Sequence, residues 1–228
     1  MTNNESAIGL FDSGIGGTSI WKAVNLLMPN ENCIYLADSK NAPYGQKSKD
    51  EIIYLSEKNT EILLNFNAKI VVVACNTATT NAIKELRAKY KIPFIGIEPA
   101  IKPAALNSNT NKIGILATKG TLNSALFNQS LAKYSSIRFI EQIGTGLVEL
   151  IENGAINSEE MHQLLINYLT PMIEAEIDYL VLGCSHYPYL IPQIKKILPH
   201  HIKIIDSGEA VARQTQNILK DKTGLNES

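Results

Sequence analysis

Two apolar runs in this chain end on a cysteine and then turn polar: VVVACNTATT at 71–80 and LVLGCSHYP at 180–188. A free cysteine is among the most buried residue types and usually fills space as a small hydrophobe. Cys33, inside NCIYLA, takes that reading. Cys75 and Cys184 differ because each closes its run where a helix is expected to start, and there the helix dipole and free N–H groups favour a thiolate. A thiol with a pKa of about 8.5 is a workable acid or base at neutral pH. Two of them across a cleft suit the removal of a proton from one face of a carbon and its return to the other, which is racemisation or epimerisation. A nucleophilic hydrolase would need only one thiol and a histidine, and His186 stands two residues beyond Cys184. A metal-dependent hydrolase built on Cys184 and His186 lacks a complete ligand set in the sequence around them.

Other polar residues gather at similar positions. FDSGIGG at 11–17 makes a tight turn from its glycines and leaves Asp12 and Ser13 at its mouth. It is not a dinucleotide fingerprint, because GxGxxG starting at Gly14 would need a glycine where Ser19 stands. CNTATT and TKGT supply Asn76, Thr77 and Thr118, which can cap helices or, with unused N–H groups, seat a carboxylate. APYGQ at 42–46 reads as a turn.

The elements that must position these residues follow from the periodicity. Short apolar runs (AIGLF, CIYLA, KIVVVAC, IPFIGI, KIGILA, SIRFIE, DYLVLGC, IKIIDS) alternate with longer segments of helical period. That pattern predicts parallel sheets with helices on both faces. IGLFDSGIGGTS from Ile8 aligns with IGILATKGTLNS from Ile113 at an offset of 105, and Cys75 falls on Cys184 at an offset of 109. A duplicated α/β unit is expected: two similar three-layer domains facing a shared cleft, one formed by 1–97 with 207–228 and the other by 98–206. Ligands of open parallel sheets bind beyond the carboxyl ends of the strands, where all these polar residues lie.

Composition narrows the function. With 45% hydrophobic and 19% charged residues the chain should fold as a globular protein, and only its polar ends, MTNNES and DKTGLNES, read as frayed. No apolar run approaches the roughly 18 residues that cross a bilayer, and no signal peptide opens the chain, so a cytoplasmic protein without a membrane partner is expected. Three cysteines without CxxC spacing support neither a disulfide framework nor a structural zinc site. A net charge of −1 without a basic cluster argues against nucleic acid binding.

Taken together, GLFDSGIGGTS, YLADSKNAPYG, ACNTATT, GIEPAIKPA, ATKGT and LGCSHYP resemble the glutamate racemases, over about Ile8 to Ser207 and in the family's order. The resemblance implies a cofactor-independent isomerase that interconverts L- and D-glutamate for peptidoglycan, frequently as a homodimer. It implies that Cys75 is the base acting on the D-enantiomer and Cys184 the base acting on the L-enantiomer, with Asp12 and His186 as their auxiliary residues. Substrate contacts carry over to Ser13, Pro43, Tyr44, Gly45, Asn76, Thr77, Thr118, Ser185 and His186. Ser185 stands where the family usually has threonine. EQIGTGLVELIENG lacks the family's Cys-Pro start, and Glu152 matches its acidic position. Racemisation of aspartate or another acid, and amino acid binding without turnover, are the competing expectations.

Overall fold

The computed structural model describes residues 6–222 and 225; the remainder of the two polar ends lies outside the described residues. In chain order the elements are β1 (Ala7–Asp12), α1 (Thr18–Leu27), β2 (Cys33–Ala37), α2 (Lys49–Asn65), β3 (Ala68–Val73), α3 (Asn76–Lys89), β4 (Phe94–Gly96), α4 (Ile101–Asn107), β5 (Lys112–Ala117), α5 (Lys119–Leu122), α6 (Ala125–Leu131), β6 (Arg138–Ile143), α7 (Leu147–Glu152), α8 (Glu159–Glu174), β7 (Tyr179–Gly183), α9 (Ile191–Ile197), β8 (Lys203–Ile205) and α10 (Gly208–Lys222). Each of the apolar runs expected to form a strand does so.

The strands form two parallel four-stranded sheets, ordered β2-β1-β3-β4 and β6-β5-β7-β8. The same order in both is the duplication seen in the motifs. Phe11 pairs with Val73 in the first sheet and Leu116 with Leu182 in the second, which reproduces the offsets of 105 and 109 in register. The central strands are apolar on both faces because both faces are covered. Ile8, Leu10, Ile70 and Val72 pack with Ile20 and Val24 of α1 and with Val211 and Leu219 of α10. Phe11, Val71 and Val73 meet Leu63 of α2 and Ala82 and Leu86 of α3 on the opposite face. In the second sheet Ile113, Ile115 and Val181 pack with Ile101, Ala104 and Phe127, while Leu116, Leu180 and Leu182 pack with α7, α8 and α9. Truncating one of these fully buried large side chains, Phe11 for example, would cost about 3–5 kcal/mol.

Local signals set where the helices begin. Ser48 and Glu51 form a reciprocal capping box on α2, and Ser158 caps α8 through the Met161 N–H. Thr118 caps α5, and the Cys75 thiol itself caps α3. Most of the polar residues singled out by sequence thus stand at the carboxyl ends of β1, β3, β5 and β7. The loop after β2 adds Pro43, Tyr44 and Gly45.

Candidate active site

The first sheet contributes Ser13, Cys75, Asn76 and Thr77 to one cavity, together with Pro43, Tyr44 and Gly45. The second contributes Thr118, Cys184, Ser185 and His186, and α7 adds Val148. The cavity between them measures only about 20 Å³, room for about one water molecule, so the two halves close tightly around the groups that line it. Asp12 is the one sequence-predicted residue that does not line the cavity. It stands behind it, fully buried, accepting the Gly17 N–H at 2.8 Å and the Ser185 hydroxyl at 3.2 Å. The glycine turn is needed here because a Cβ at Gly16 would collide with the His186 ring and one at Gly14 with the Glu152 carboxylate.

Cys75 is 4% exposed. Its sulfur accepts the Ala78 N–H at 3.5 Å, and its S–H lies 3.8 Å from Ser13 Oγ as a weak donor. The helix start does reach this thiol, as expected, but it does not make a thiolate. Burial pushes the Cys75 thiol well above its usual range and the Asp12 carboxylate pushes the same way, so the Ala78 N–H is outweighed. Asp12 is itself held above the ordinary carboxylate value by burial, against the opposing pull of His186 and the Gly17 N–H.

Cys184 departs from expectation differently. It caps no α-helix: a 3-10 turn over Tyr187–Leu190 intervenes before α9, and the Cys184 carbonyl accepts the Tyr187 N–H at 3.1 Å. The nearest partner of its sulfur is His186 Nδ1 at 3.8 Å. On the far side of the ring, His186 Nε2 donates to Glu152 Oε1 at 2.5 Å, and that carboxylate also accepts the Ile15 N–H at 2.8 Å. Burial alone would lower the His186 pKa, but Cys184, Glu152 and Asp12 together overturn it and hold the pKa at about 11. The ring is therefore an imidazolium at neutral pH. Glu152 is pulled below its ordinary value mainly by the hydrogen bond from this ring.

The floor between the thiols is rich in polar groups. Asn76 is buried, and neither its side-chain oxygen nor its nitrogen has a hydrogen-bond partner among the described residues. Buried amides are nearly always paired, so both groups are free to hydrogen-bond whatever occupies the cavity. Thr77 and Thr118 meet across the halves, hydroxyl to hydroxyl, at 2.8 Å. Sequence reasoning missed Val148, which carries no signal beyond its place on an amphipathic helix. Glu152 matched an acidic family position, but its bond to His186 spans 34 residues and is a product of the fold. Among the described residues no group of His, Cys, Asp and Glu is arranged to hold a metal, and no helix is long and apolar enough to cross a membrane.

Known proteins share this arrangement at the level of sequence and fold. A glutamate racemase from Herpetosiphon aurantiacus is 43% identical over 97% of this chain and 88% of its own length. The crystal structure of a glutamate racemase from Bacillus anthracis superposes with a TM-score of 0.89 at 32% identity, over 99% of this chain and 86% of that one. The Escherichia coli glutamate racemase, crystallised with L-glutamate and the activator UDP-MurNAc-Ala, gives a TM-score of 0.87 at 32% identity over 97% and 85% of the two chains. Residues 19–215 match the model of the Asp/Glu/hydantoin racemases, and this chain belongs to that family.

Proposed function

We propose that the protein is a glutamate racemase that inverts the α-carbon with two thiols and no cofactor, supplying D-glutamate for peptidoglycan. The single observation that carries the mechanism is that Cys75 and Cys184, one from each half, line the same small buried cavity. The Cys184 thiolate, with the His186 imidazolium as its counter-ion, takes the α-proton of L-glutamate: an S–H bond forms and the C–H electron pair stays on the substrate. Cys75, held as a thiol, delivers its proton to the opposite face of that carbon. The product leaves Cys184 as thiol and Cys75 as thiolate, and proton exchange with solvent resets the pair. For D-glutamate the roles reverse.

Losing an α-proton builds negative charge on the substrate carboxylate, and this chain must stabilise it with fixed dipoles. The orphaned Asn76 amide, the Thr77 and Thr118 hydroxyls and the N–H groups at the start of α3 are the donors available there. Asp12 acts behind Cys75, and Ser13, Ser185, Tyr44, Pro43 and Gly45 complete the substrate seat. The division into 1–97 with 207–228 and 98–206 is our proposal for the domains. It gives each domain one of the two cavity thiols and is supported by the packing of α10 on α1. The resemblance supports a homodimer, and reduced free thiols suit the cytoplasm.

The test is incubation with L-glutamate in heavy water without added cofactor, following circular dichroism and the α-proton NMR signal together. Loss of both is expected. Persistence of both with folded, reduced protein would refute the assignment, and the same assay on aspartate would then identify the rival substrate.

A further inference from the structure

The segment that carries Pro43, Tyr44 and Gly45 into the cavity contains only two single-turn 3-10 helices, Ser39–Asn41 and Tyr44–Gln46, too short to hold it at that depth by themselves. It is held instead by a polar cluster outside the catalytic groups. Tyr44 is 1% exposed, and its hydroxyl donates to Asp38 Oδ2 at 2.6 Å. A phenol has one proton, so its oxygen can only accept from anything else. It accepts from Asn59 Nδ2 of α2, at 3.0 Å. The other Asp38 oxygen accepts from Asn41 at 2.8 Å, and the Asp38 N–H binds the Asp12 carbonyl at 2.9 Å. A continuous path therefore runs from α2 through Asn59, Tyr44 and Asp38 to the end of β1, where Asp12 stands behind the cavity.

Asn59 is buried, 5% exposed, does not line the cavity itself and hydrogen-bonds to a residue that does, Tyr44. A buried amide in the middle of a helix is costly unless its hydrogen bond is needed, and here it supplies the one donor that fits the vacant lone pair of the phenol. We infer that Asn59 is a positioning residue for racemisation: through the Tyr44 hydroxyl it fixes the wall formed by residues 43–45, and so sets how tightly the substrate is seated. The inference rests on the racemase reading of the site. Gly45 shows how little slack this wall has, since a Cβ there would lie 3.0 Å from Thr118 Cβ across the cleft.

The experiment is a double-mutant cycle on the full-length protein, with KM, kcat and calorimetric glutamate affinity measured for wild type, N59D, Y44F and the double variant. N59D keeps the size of the side chain but replaces the donor by an acceptor; N59L is the uncharged second variant should N59D fail to fold. Removing the donor is expected to raise KM and Kd by roughly tenfold while kcat stays within about threefold. In the Y44F background the further effect should shrink below about twofold, because the group through which Asn59 acts is gone. An equal effect in both backgrounds, or a lowered melting temperature with unchanged KM, would overturn the inference. A wild type that binds glutamate without racemising it would refute the function and leave the four affinities to decide the positioning role. A wild type that neither binds nor turns over would overturn both.

Discussion

In the first half the thiol caps a helix, lies beside a carboxylate and is pushed up by burial; in the second half it caps nothing and lies beside an imidazolium that a carboxylate holds charged. The two sheets have the same strand order and the two cysteines the same register, so the backbone treats them alike. Their partners do not. A two-base racemase needs one base deprotonated while its opposite is protonated, and identical surroundings would leave that choice to chance. Asp12 behind one thiol and His186 beside the other break the symmetry: burial and Asp12 favour the protonated form of Cys75, and the proposed mechanism places the base for L-glutamate on the Cys184 side. The halves are also wired together. Ser185, next to Cys184, donates to Asp12, and Glu152 of the second half binds the Ile15 N–H of the first.

Removing a thiol breaks the comparison most completely. Cys75→Ala or Cys184→Ala should each lower racemisation by roughly 10³-fold or more while the fold persists, because neither sulfur has a strong hydrogen bond to lose. Optical rotation with either enantiomer, beside far-UV circular dichroism, checks this; near-native turnover in either variant would end the two-base assignment.

The auxiliary groups sharpen it. His186→Asn and Asp12→Asn should each cost about 10²-fold in kcat/KM. Because L- and D-glutamate have equal free energy, kcat/KM must stay equal in the two directions, so the asymmetry can appear only in kcat and KM taken separately and in isotope effects. His186→Asn should enlarge the primary deuterium effect with L-glutamate, and Asp12→Asn that with D-glutamate. Equal isotope effects in both variants would mean that each auxiliary group serves both thiols.

The pH dependence isolates Glu152. His186 in the folded protein keeps its proton to about 11, above its ordinary value of 6.5, so activity that needs the imidazolium is present at neutral pH and lost as pH rises through about 11. The stability it contributes is likewise complete below about 6.5 and disappears over the same rise. Glu152→Gln keeps an oxygen for the Ile15 N–H but removes the charge at 2.5 Å. The alkaline limb of kcat/KM should then move down by roughly 1 to 3 pH units. An unmoved limb would show that Cys184 and Asp12 suffice to hold the ring charged.

Much of this was legible before the structure. Alternation of apolar runs with helical periods located each strand, and Cys75 falling on Cys184 anticipated the shared register. The asymmetry was legible only through the family resemblance, which placed Asp12 with Cys75 and His186 with Cys184, and not from the pattern of the residues. Both cysteines precede polar residues, and local sequence cannot say that Asp12, 63 positions before Cys75, is buried behind it and shared with Ser185, at |i−j| of 173. Nor could it say that the helix start at Cys75 would lose to desolvation, or that the turn after Cys184 would form a 3-10 segment. Burial and long-range pairing are properties of the folded whole.

The smallest expected effect separates the rim of the cleft from its floor. Gln46 Nε2 donates to Glu149 Oε1 at 2.8 Å, joining the two halves at the surface, while Thr77 and Thr118 join them at the same distance inside. The rim pair is exposed and screened, and such pairs contribute about 0–1 kcal/mol. Gln46→Ala should therefore change kcat/KM by less than about threefold, with little dependence on salt. Thr118→Val removes the hydroxyl that caps α5 and meets Thr77, and leaves that partner facing the cavity unpaired, so it should cost several times more. Steady-state kinetics of the two variants side by side decide it. If the rim variant proved the more damaged, the relative seating of the halves would be controlled from outside the cavity, and the assignment of the acid and base sides to buried neighbours alone would fail.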